Sequence, residues 1–177
     1  MDLVDRLLAD PDLAHFNGIG LVVQAYQKRC TFVIDYLIEQ ARKHQHKIMV
    51  RLVKGAYWDS EIKRAQTDGA EGLPCTFTRK VYTDVSYIAC AKKLLAAQDV
   101  IYPQFATHNA QSLATVYHLA QGKQFEFQCL HGMGETLYDQ VVGKHNLNVQ
   151  CRIYAPVGSY KTPVGLFSAP LIRKWGK

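Results

Sequence analysis

The residue with the clearest chemical potential is an arginine inside an apolar segment. Arg51 lies within the string IMVRLVKG, which spans Ile48–Gly55 and otherwise reads as a buried strand. A guanidinium group that leaves water must be matched by a carboxylate, a phosphate or another anionic acceptor. Arg51 therefore either binds an anionic ligand or forms a structural ion pair, for which Glu126 is a candidate partner.

The turn after this segment adds a positive charge and two aromatic rings. In Lys54–Ala56 (KGA), the small residues allow close approach of the backbone to a ligand, and Lys54 supplies the charge. Tyr57 and Trp58 follow, and their rings are able to stack on a planar group. The alternative is an ordinary strand-to-helix turn whose aromatic side chains pack on a neighbouring element.

Two other segments carry polar side chains suited to ligand binding. Arg79 and Lys80 end the irregular stretch Gly69–Lys80 and predict a phosphate contact on a loop, with a solvated pair of charges as the alternative. Thr107–Asn109 (THN) ends a predicted strand and offers a hydroxyl, an imidazole and an amide. His108 suits a general base or a satisfied structural residue. No metal site is predicted, because no second histidine or carboxylate lies at ligand spacing.

The cysteines predict thiols rather than a disulfide framework or a metal centre. Cys129 and His131 lie two residues apart on one predicted strand and so share a face, which makes a nucleophile pair conceivable. That face is expected to pack against helices, which favours a buried, inert thiol at Cys129. The five cysteines are odd in number and scattered, as in a reduced cytoplasmic protein, and they are Cys30, Cys75, Cys90, Cys129 and Cys151.

The elements that must position these residues alternate along the chain. Strands are predicted at Ile19–Tyr26, Ile48–Gly55, Pro103–Asn109, Phe125–His131 and Cys151–Pro156. Helices are predicted at Leu3–His15, Thr31–His44, Thr83–Ala97 with a Thr-Asp cap, Gln111–Gln121 and Glu135–Val142. Strict alternation implies parallel strands joined by crossover helices, and both a doubly wound sheet and a (β/α)8 barrel fit it.

The side-chain period of the strands favours the barrel. If Val50 and Leu52 face outward, Arg51 faces inward, and the other strands can be treated in the same way. One side of the sheet then collects polar side chains near the strand ends, namely Gln24, Arg51, Gln128 and Tyr154. A polar inner face suits a barrel with a ligand site. Only five of eight strands are found, so the expected fold is a partial (β/α)8 barrel.

Composition excludes several classes of protein. The chain has 177 residues, 48% hydrophobic and 20% charged, which is enough to form a core and excludes a disordered tail. No apolar run reaches the roughly 18–20 residues that cross a bilayer, and no secretory signal is predicted at the N-terminus. Of the net charge of +6, four positive charges lie in Ser159–Lys177, which leaves 17 basic and 15 acidic residues elsewhere. The nearly neutral body gives no reason to predict nucleic-acid binding.

Six strings, in order along the chain, resemble the proline dehydrogenase domain of the bacterial proline utilisation A family. The resemblance covers about nine-tenths of the chain, from Leu7 to Gly158. The strings are IGLVVQAYQKR (Ile19–Arg29), RLVKGAYWDSEIKRAQ (Arg51–Gln66), TRKVYTD (Thr78–Asp84), YPQFATHNA (Tyr102–Ala110), EFQCLHGMGE (Glu126–Glu135) and RIYAPVG (Arg152–Gly158).

The resemblance implies an activity and its partners. The family fold is a distorted (β/α)8 barrel that holds FAD non-covalently, and the reaction is oxidation of L-proline to Δ1-pyrroline-5-carboxylate. Electrons then pass to a membrane quinone. The implied location is the cytoplasm, with peripheral association at the inner face of the membrane in the full-length protein.

The resemblance also assigns roles to individual residues. Arg51 corresponds to an arginine beside the flavin N5 edge, where its charge stabilises the reduced flavin and acts in catalysis. Leu130 and Tyr154 match residues that wall the proline pocket. The positions implied to contact FAD are Gln24, Arg51, Val53, Lys54, Gly55, Ala56, Trp58, Arg79, Lys80, Thr107, His108, Asn109 and Gln128.

The chain departs from the family pattern at both ends. The family's first three strands are not found, and Ser159–Lys177 does not match the family helix that carries an arginine pair for the proline carboxylate. We therefore expect a partial FAD-linked barrel over residues 1–158 and a divergent basic tail over 159–177. An inactive truncated remnant of the enzyme, and a basic binding module that uses the tail, are the alternative hypotheses.

Overall fold

The structure, a computed structural model, describes residues 2–69, 75–144 and 147–155. The strands are β1 Gly20–Gln24, β2 Ile48–Val53, β3 Ile101–Ala106, β4 Glu126–Leu130 and β5 Gln150–Tyr154. The α-helices are α1 Asp2–Ala9, α2 Cys30–Lys43, α3 Trp58–Thr67, α4 Lys80–Ala96, α5 Ala110–Leu119 and α6 Glu135–Tyr138. A 3₁₀ turn, Pro11–Leu13, follows α1, and a π-helical turn, Asp139–Lys144, continues α6.

The five strands form one parallel sheet in the order β1-β2-β3-β4-β5. Each strand therefore pairs with the next one along the chain, and the order never reverses. A doubly wound sheet requires a reversal of strand order, whereas a barrel adds its strands in sequence. The topology confirms the prediction of a partial α/β barrel, here an open section with flanking helices.

One face of the sheet forms the core with the helices. Val50 and Leu52 on β2 are fully buried, as are Phe105 on β3 and Phe127 on β4. Helix α4 packs Tyr87 and other apolar residues against this face. Because side chains alternate along a strand, the intervening residues project to the opposite face, where the site lies. No helix among the described residues is long and apolar enough to cross a lipid bilayer.

Several predicted boundaries were wrong at the amino ends of elements. Helix α4 begins at Lys80 rather than at the predicted Thr83 cap, because Thr83 is buried inside the helix and Arg79 occupies the cap position. Strand β3 begins at Ile101, ahead of Pro103. Its pairing with β4 begins at Gln104, so the missing N–H of Pro103 leaves no gap in that ladder.

Helices also differ from the prediction at three places. The predicted Leu3–His15 helix ends at Ala9, since a residue before proline avoids the helical region, and Asp10 caps the turn that follows. Helix α3 was missed because none of its residues is buried, so it has no apolar stripe. Helix α6 is shorter than the predicted Glu135–Val142, because π-helical geometry replaces it after Tyr138. Pro156 and the predicted tail 159–177 lie outside the described residues.

Candidate functional site

The candidate site occupies the sheet face opposite the helices, toward the carboxyl ends of the strands. Cα partners in a parallel register lie on the same face, so the register defines this surface. One row joins Val22, Arg51, Gln104 and Glu126 across four strands, and the next joins Gln24 to Val53. On the other strands, one row consists of Ala106, Gln128 and Arg152, and a further row joins Leu130 to Tyr154. The predicted grouping of Gln24, Arg51, Gln128 and Tyr154 on one face is confirmed.

Arg51 has no anionic partner among the described residues. Its guanidinium carbon lies 4.8 Å from the centroid of the Tyr154 ring, a cation–π contact between β2 and β5. The alternative of an ion pair with Glu126 was wrong, because Glu126 pairs with Arg152. Arg51 is half-buried and keeps an uncompensated positive charge on the ligand face.

Glu126 is the centre of a buried polar network that was not predicted. Its side chain is fully buried, and its Oε1 accepts hydrogen bonds from Gln104 Nε2 at 2.9 Å and Gln128 Nε2 at 2.6 Å. Arg152 binds it through both carboxylate oxygens, at 2.8 and 3.0 Å. Burial acts to raise the pKa of Glu126, but the hydrogen bonds and the charge of Arg152 outweigh it, and the pKa is lowered from its ordinary value.

Gln128 has one group that the described residues do not satisfy. Its Oε1 is buried and accepts no hydrogen bond within the described part of the chain. A buried carbonyl oxygen without a donor is unfavourable and marks a position for a ligand or a bound water molecule. Gln24, on the other edge of the same face, is half-buried at the end of β1.

The turn after β2 is held by local packing. Gly55 has φ of +140°, and a Cβ atom there would lie 2.5 Å from the ring of Tyr26. Trp58 donates its indole N–H to the Phe77 carbonyl at 2.9 Å, and the residue is 41% exposed. The turn therefore presents Ala56 and this ring to solvent beside the end of β2.

Lys54 and Lys80 share one acidic partner, Asp84, and Arg79 precedes Lys80 in the chain; these three basic residues are called the basic cluster. Lys80 is the first residue of α4, so the Arg79-Lys80 pair lies at a helix N-terminus and not on a loop as predicted. Asp84 accepts from Lys54 Nζ at 2.6 Å and from Lys80 Nζ at 2.7 Å. Burial acts to raise the pKa of Asp84, but the two lysines lower it below its usual value. Three cations against one anion leave the cluster positive.

The Thr107–Asn109 segment has clear structural contacts. Thr107 Oγ1 accepts from the Asn109 N–H at 3.1 Å, and Asn109 Oδ1 caps α5 by accepting from the Ser112 N–H at 2.9 Å. His108 Nε2 accepts from the Leu130 N–H at 3.1 Å, which requires the proton on Nδ1. Burial lowers the pKa of His108, so the ring is neutral at neutral pH. These contacts favour the structural alternative for His108.

Tyr138 joins two strand ends beneath the site and was not predicted. Its hydroxyl lies 2.7 Å from the Thr107 carbonyl oxygen and 3.2 Å from that of Gln128, and it is buried. Burial raises the pKa of Tyr138 far above its ordinary value, which keeps the hydroxyl as a donor. The only signal for it in the sequence is an aromatic residue with a polar tip in the predicted helix Glu135–Val142.

Cys129 is a buried thiol, as predicted. It faces the helices, 4.0 Å from the sulfur of Cys151, and burial raises the pKa of its thiol. A thiol held protonated is a poor nucleophile, so a nucleophile pair with His131 is not supported. Within the described ranges, no group of three or more histidine, cysteine or acidic residues is arranged to hold a metal ion.

The chain is similar in sequence to known proteins over most of its length. The family model described as proline dehydrogenase matches residues 1–169. The bifunctional protein PutA of Klebsiella aerogenes is 64% identical over 169 residues, and that of Rhizobium meliloti is 58% identical over 168; each alignment covers 92% of this chain. The chain spans only 13% of the length of either relative.

A solved structure also superimposes on the chain. A mutant of proline utilization A (PutA) from Bradyrhizobium japonicum is 53% identical in sequence, with a TM-score of 0.86. The match covers 97% of this chain and 18% of that one. The likeness therefore extends over the five-stranded sheet and its flanking helices.

Proposed function

Since the chain belongs to the proline dehydrogenase family, we propose that it carries the flavin-binding half of a site that oxidises L-proline to Δ1-pyrroline-5-carboxylate. When bound, FAD would supply the two-electron acceptor for hydrogen removed from the ring carbon beside the proline nitrogen. The chain's own contribution is to hold that acceptor, to place proline against it and to stabilise the charge that develops.

The observation that carries the proposal is the uncompensated charge of Arg51. Its guanidinium lies on the ligand face without a carboxylate partner among the described residues, and Tyr154 covers it on one side. A cation fixed in this way stabilises negative charge on a ring system that has accepted two electrons. This is the catalytic role we propose for Arg51.

The remaining residues of the face fit the parts of FAD. The cluster of Lys54, Arg79 and Lys80 lies at the N-terminus of the 17-residue helix α4, where free backbone N–H groups and the helix dipole favour a diphosphate. Among the described residues, Gln128 Oε1 has no hydrogen-bond donor, and an N–H group of the ring system would provide one. We propose that the cofactor contacts are those implied by the sequence, namely Gln24, Arg51, Val53, Lys54, Gly55, Ala56, Trp58, Arg79, Lys80, Thr107, His108, Asn109 and Gln128.

We place the substrate beside Leu130 and Tyr154. These residues are in register at the carboxyl ends of β4 and β5, and both are exposed on the ligand face. Tyr154 also contacts Arg51, so a ring bound between Leu130 and Tyr154 would lie next to the proposed acceptor. Apolar contact with the methylene groups of proline is the expected interaction.

We also propose partners and a division of the chain into two parts. The electrons would pass to a quinone, and peripheral association with a membrane would belong to the full-length protein in the cytoplasm. Residues 1–158 would form the partial barrel, and 159–177 would form a separate basic tail without a nucleic-acid partner. The alternative is an inactive remnant that keeps the fold without catalysis.

Purification of the 177-residue chain tests the proposal. We expect bound flavin with absorbance near 450 nm and proline-dependent reduction of an artificial electron acceptor. Arg51→Met should lower turnover by about 100-fold or more, as expected when a charge that stabilises the transition state is removed. Arg64→Met is the matched control, because Arg64 lies exposed on α3, and it should keep full activity. A folded chain with neither flavin nor turnover would support the remnant instead.

A further inference from the structure

The buried carboxylate of Glu126 has no role in the function proposed above, although four polar side chains donate hydrogen bonds to it. The side chain is completely buried in the middle of the ligand face. Its Oε1 receives N–H groups from two glutamine amides and from Arg152. Such a concentration of donors on one oxygen constrains the orientation of every donor group.

The contact with Gln128 fixes which end of that amide faces the carboxylate. An ionised carboxylate only accepts hydrogen bonds, so the atom of Gln128 that lies 2.6 Å from Glu126 must be the nitrogen. Turning the amide over would place two oxygen atoms at that distance. Arg152 supports the ionised form by contacting both carboxylate oxygens of Glu126.

The consequence is a carbonyl oxygen of fixed direction. With Nε2 of Gln128 held by Glu126, the Oε1 atom must point elsewhere, and it is buried without a donor in the described part of the chain. Such an oxygen selects a ligand group that donates a hydrogen bond and disfavours one that accepts. The oxidised isoalloxazine ring carries a single N–H group and several acceptors, so the direction of this amide affects how the ring can bind.

We propose that Glu126 is a positioning residue that holds the Gln128 amide with its carbonyl oxygen toward an N–H group of the bound flavin. The inference rests on the proposed function for the identity of the ligand. It assigns Glu126 no contact with the flavin or with proline. Its effect on ligand binding passes through Gln128.

The variant Glu126→Gln tests this role because it keeps the shape and removes the fixed polarity. In one orientation the new amide oxygen accepts a hydrogen bond from Gln128, but its NH2 group then faces the guanidinium of Arg152, so that two donors meet. In the other orientation its NH2 group faces Gln128 and favours the reversed amide. Tyr102→Phe is the matched control, because the Tyr102 hydroxyl donates to the other carboxylate oxygen at 3.4 Å and leaves the Gln128 contact intact.

Flavin affinity is the first measurement. We expect Glu126→Gln to raise the Kd for FAD about tenfold, the effect of losing one well-directed hydrogen bond. Tyr102→Phe should change this Kd less than twofold. In a Gln128→Leu background, Glu126→Gln should have no further effect, because the two residues act as a unit. Additive losses, or an unchanged Kd in the single variant, would overturn the proposal. If Glu126→Gln does not fold, Glu126→Asp replaces it in the same comparison of single and double variants. This change withdraws the carboxylate by one methylene.

A measurement without flavin separates this inference from the proposed function. In the 15N-labelled chain, one side-chain amide proton of Gln128 should be shifted downfield, and the shift should persist in Tyr102→Phe and disappear in Glu126→Gln. A chain with this signal that binds no FAD refutes the proposed function and the ligand half of the inference. A chain that binds FAD without the signal refutes the positioning role alone.

Discussion

Replacement of Gly55 by alanine tests the packing that shapes the turn after β2. Two costs add at this position. The backbone has φ of +140°, a region that residues with a side chain rarely adopt, at a cost of about 2 kcal/mol. The new Cβ atom would also lie 2.5 Å from the ring of Tyr26, and overpacking of this kind costs about 2 kcal/mol more. We therefore expect Gly55→Ala to lower the free energy of unfolding by about 4 kcal/mol.

A second glycine separates the two costs. Gly122 also has a positive φ, +75°, but a Cβ atom there would meet nothing within 4 Å. Gly122→Ala should therefore cost only about 1 kcal/mol, from the left-handed backbone alone. Urea unfolding followed by circular dichroism measures both variants. In a Tyr26→Ala background, the cost of Gly55→Ala should fall by about 2 kcal/mol, because the ring is no longer there to clash. Equal losses for the two glycine variants, or no coupling to Tyr26, would refute the reasoning.

Two further changes test the contacts beneath the site. Arg152→Gln should cost roughly 2 kcal/mol, less than for a fully buried pair because Arg152 is half in water. The lowered pKa of Glu126 stabilises the fold above the ordinary carboxyl range, and this contribution is lost as pH falls through the folded value. Without Arg152, burial raises the pKa of Glu126. The loss of stability at acid pH, measured as the fall of the urea midpoint, should then begin at a higher pH, and an unchanged pH dependence would contradict the pairing. Tyr138→Phe removes a donor to two strand-end carbonyls and should cost about 1–2 kcal/mol by urea unfolding. Tyr117→Phe, on the half-buried side of α5, is the control, and an equal loss there would contradict the role of Tyr138.

The fold was predictable to the extent that burial leaves a periodic signal. Val50 and Leu52 alternate with Arg51 because β2 has one face on the helices and one on the ligand side, and burial follows that period. Helix α3 left no such signal, since it lies on the surface with no buried residue. The start of α4 was misplaced because Thr83 resembles a cap in type, while its hydroxyl side chain is in fact buried within the helix.

The contacts within the site were harder to predict, because they depend on which strands are neighbours. Arg51 and Glu126 lie in the same register row, yet β3 separates their strands and places Gln104 between them. Arg152 lies on the adjacent strand, one row along, and its long side chain reaches the carboxylate diagonally. Sequence spacing alone contains no information about this choice of partner.

That choice of partner determines the charge of the ligand face. Had Glu126 paired with Arg51, the charge of that arginine would have been compensated, and Arg152 would have lost its carboxylate partner. In the observed pairing, the buried carboxylate of Glu126 instead binds Arg152. Arg152 is about half exposed, so water would solvate its charge if the carboxylate were absent. Among the described residues, Arg51 then contacts the ring of Tyr154 and has no counter-ion. Because a cation–π contact orients a guanidinium without cancelling its charge, the full electrostatic effect of Arg51 remains available to an anionic ligand.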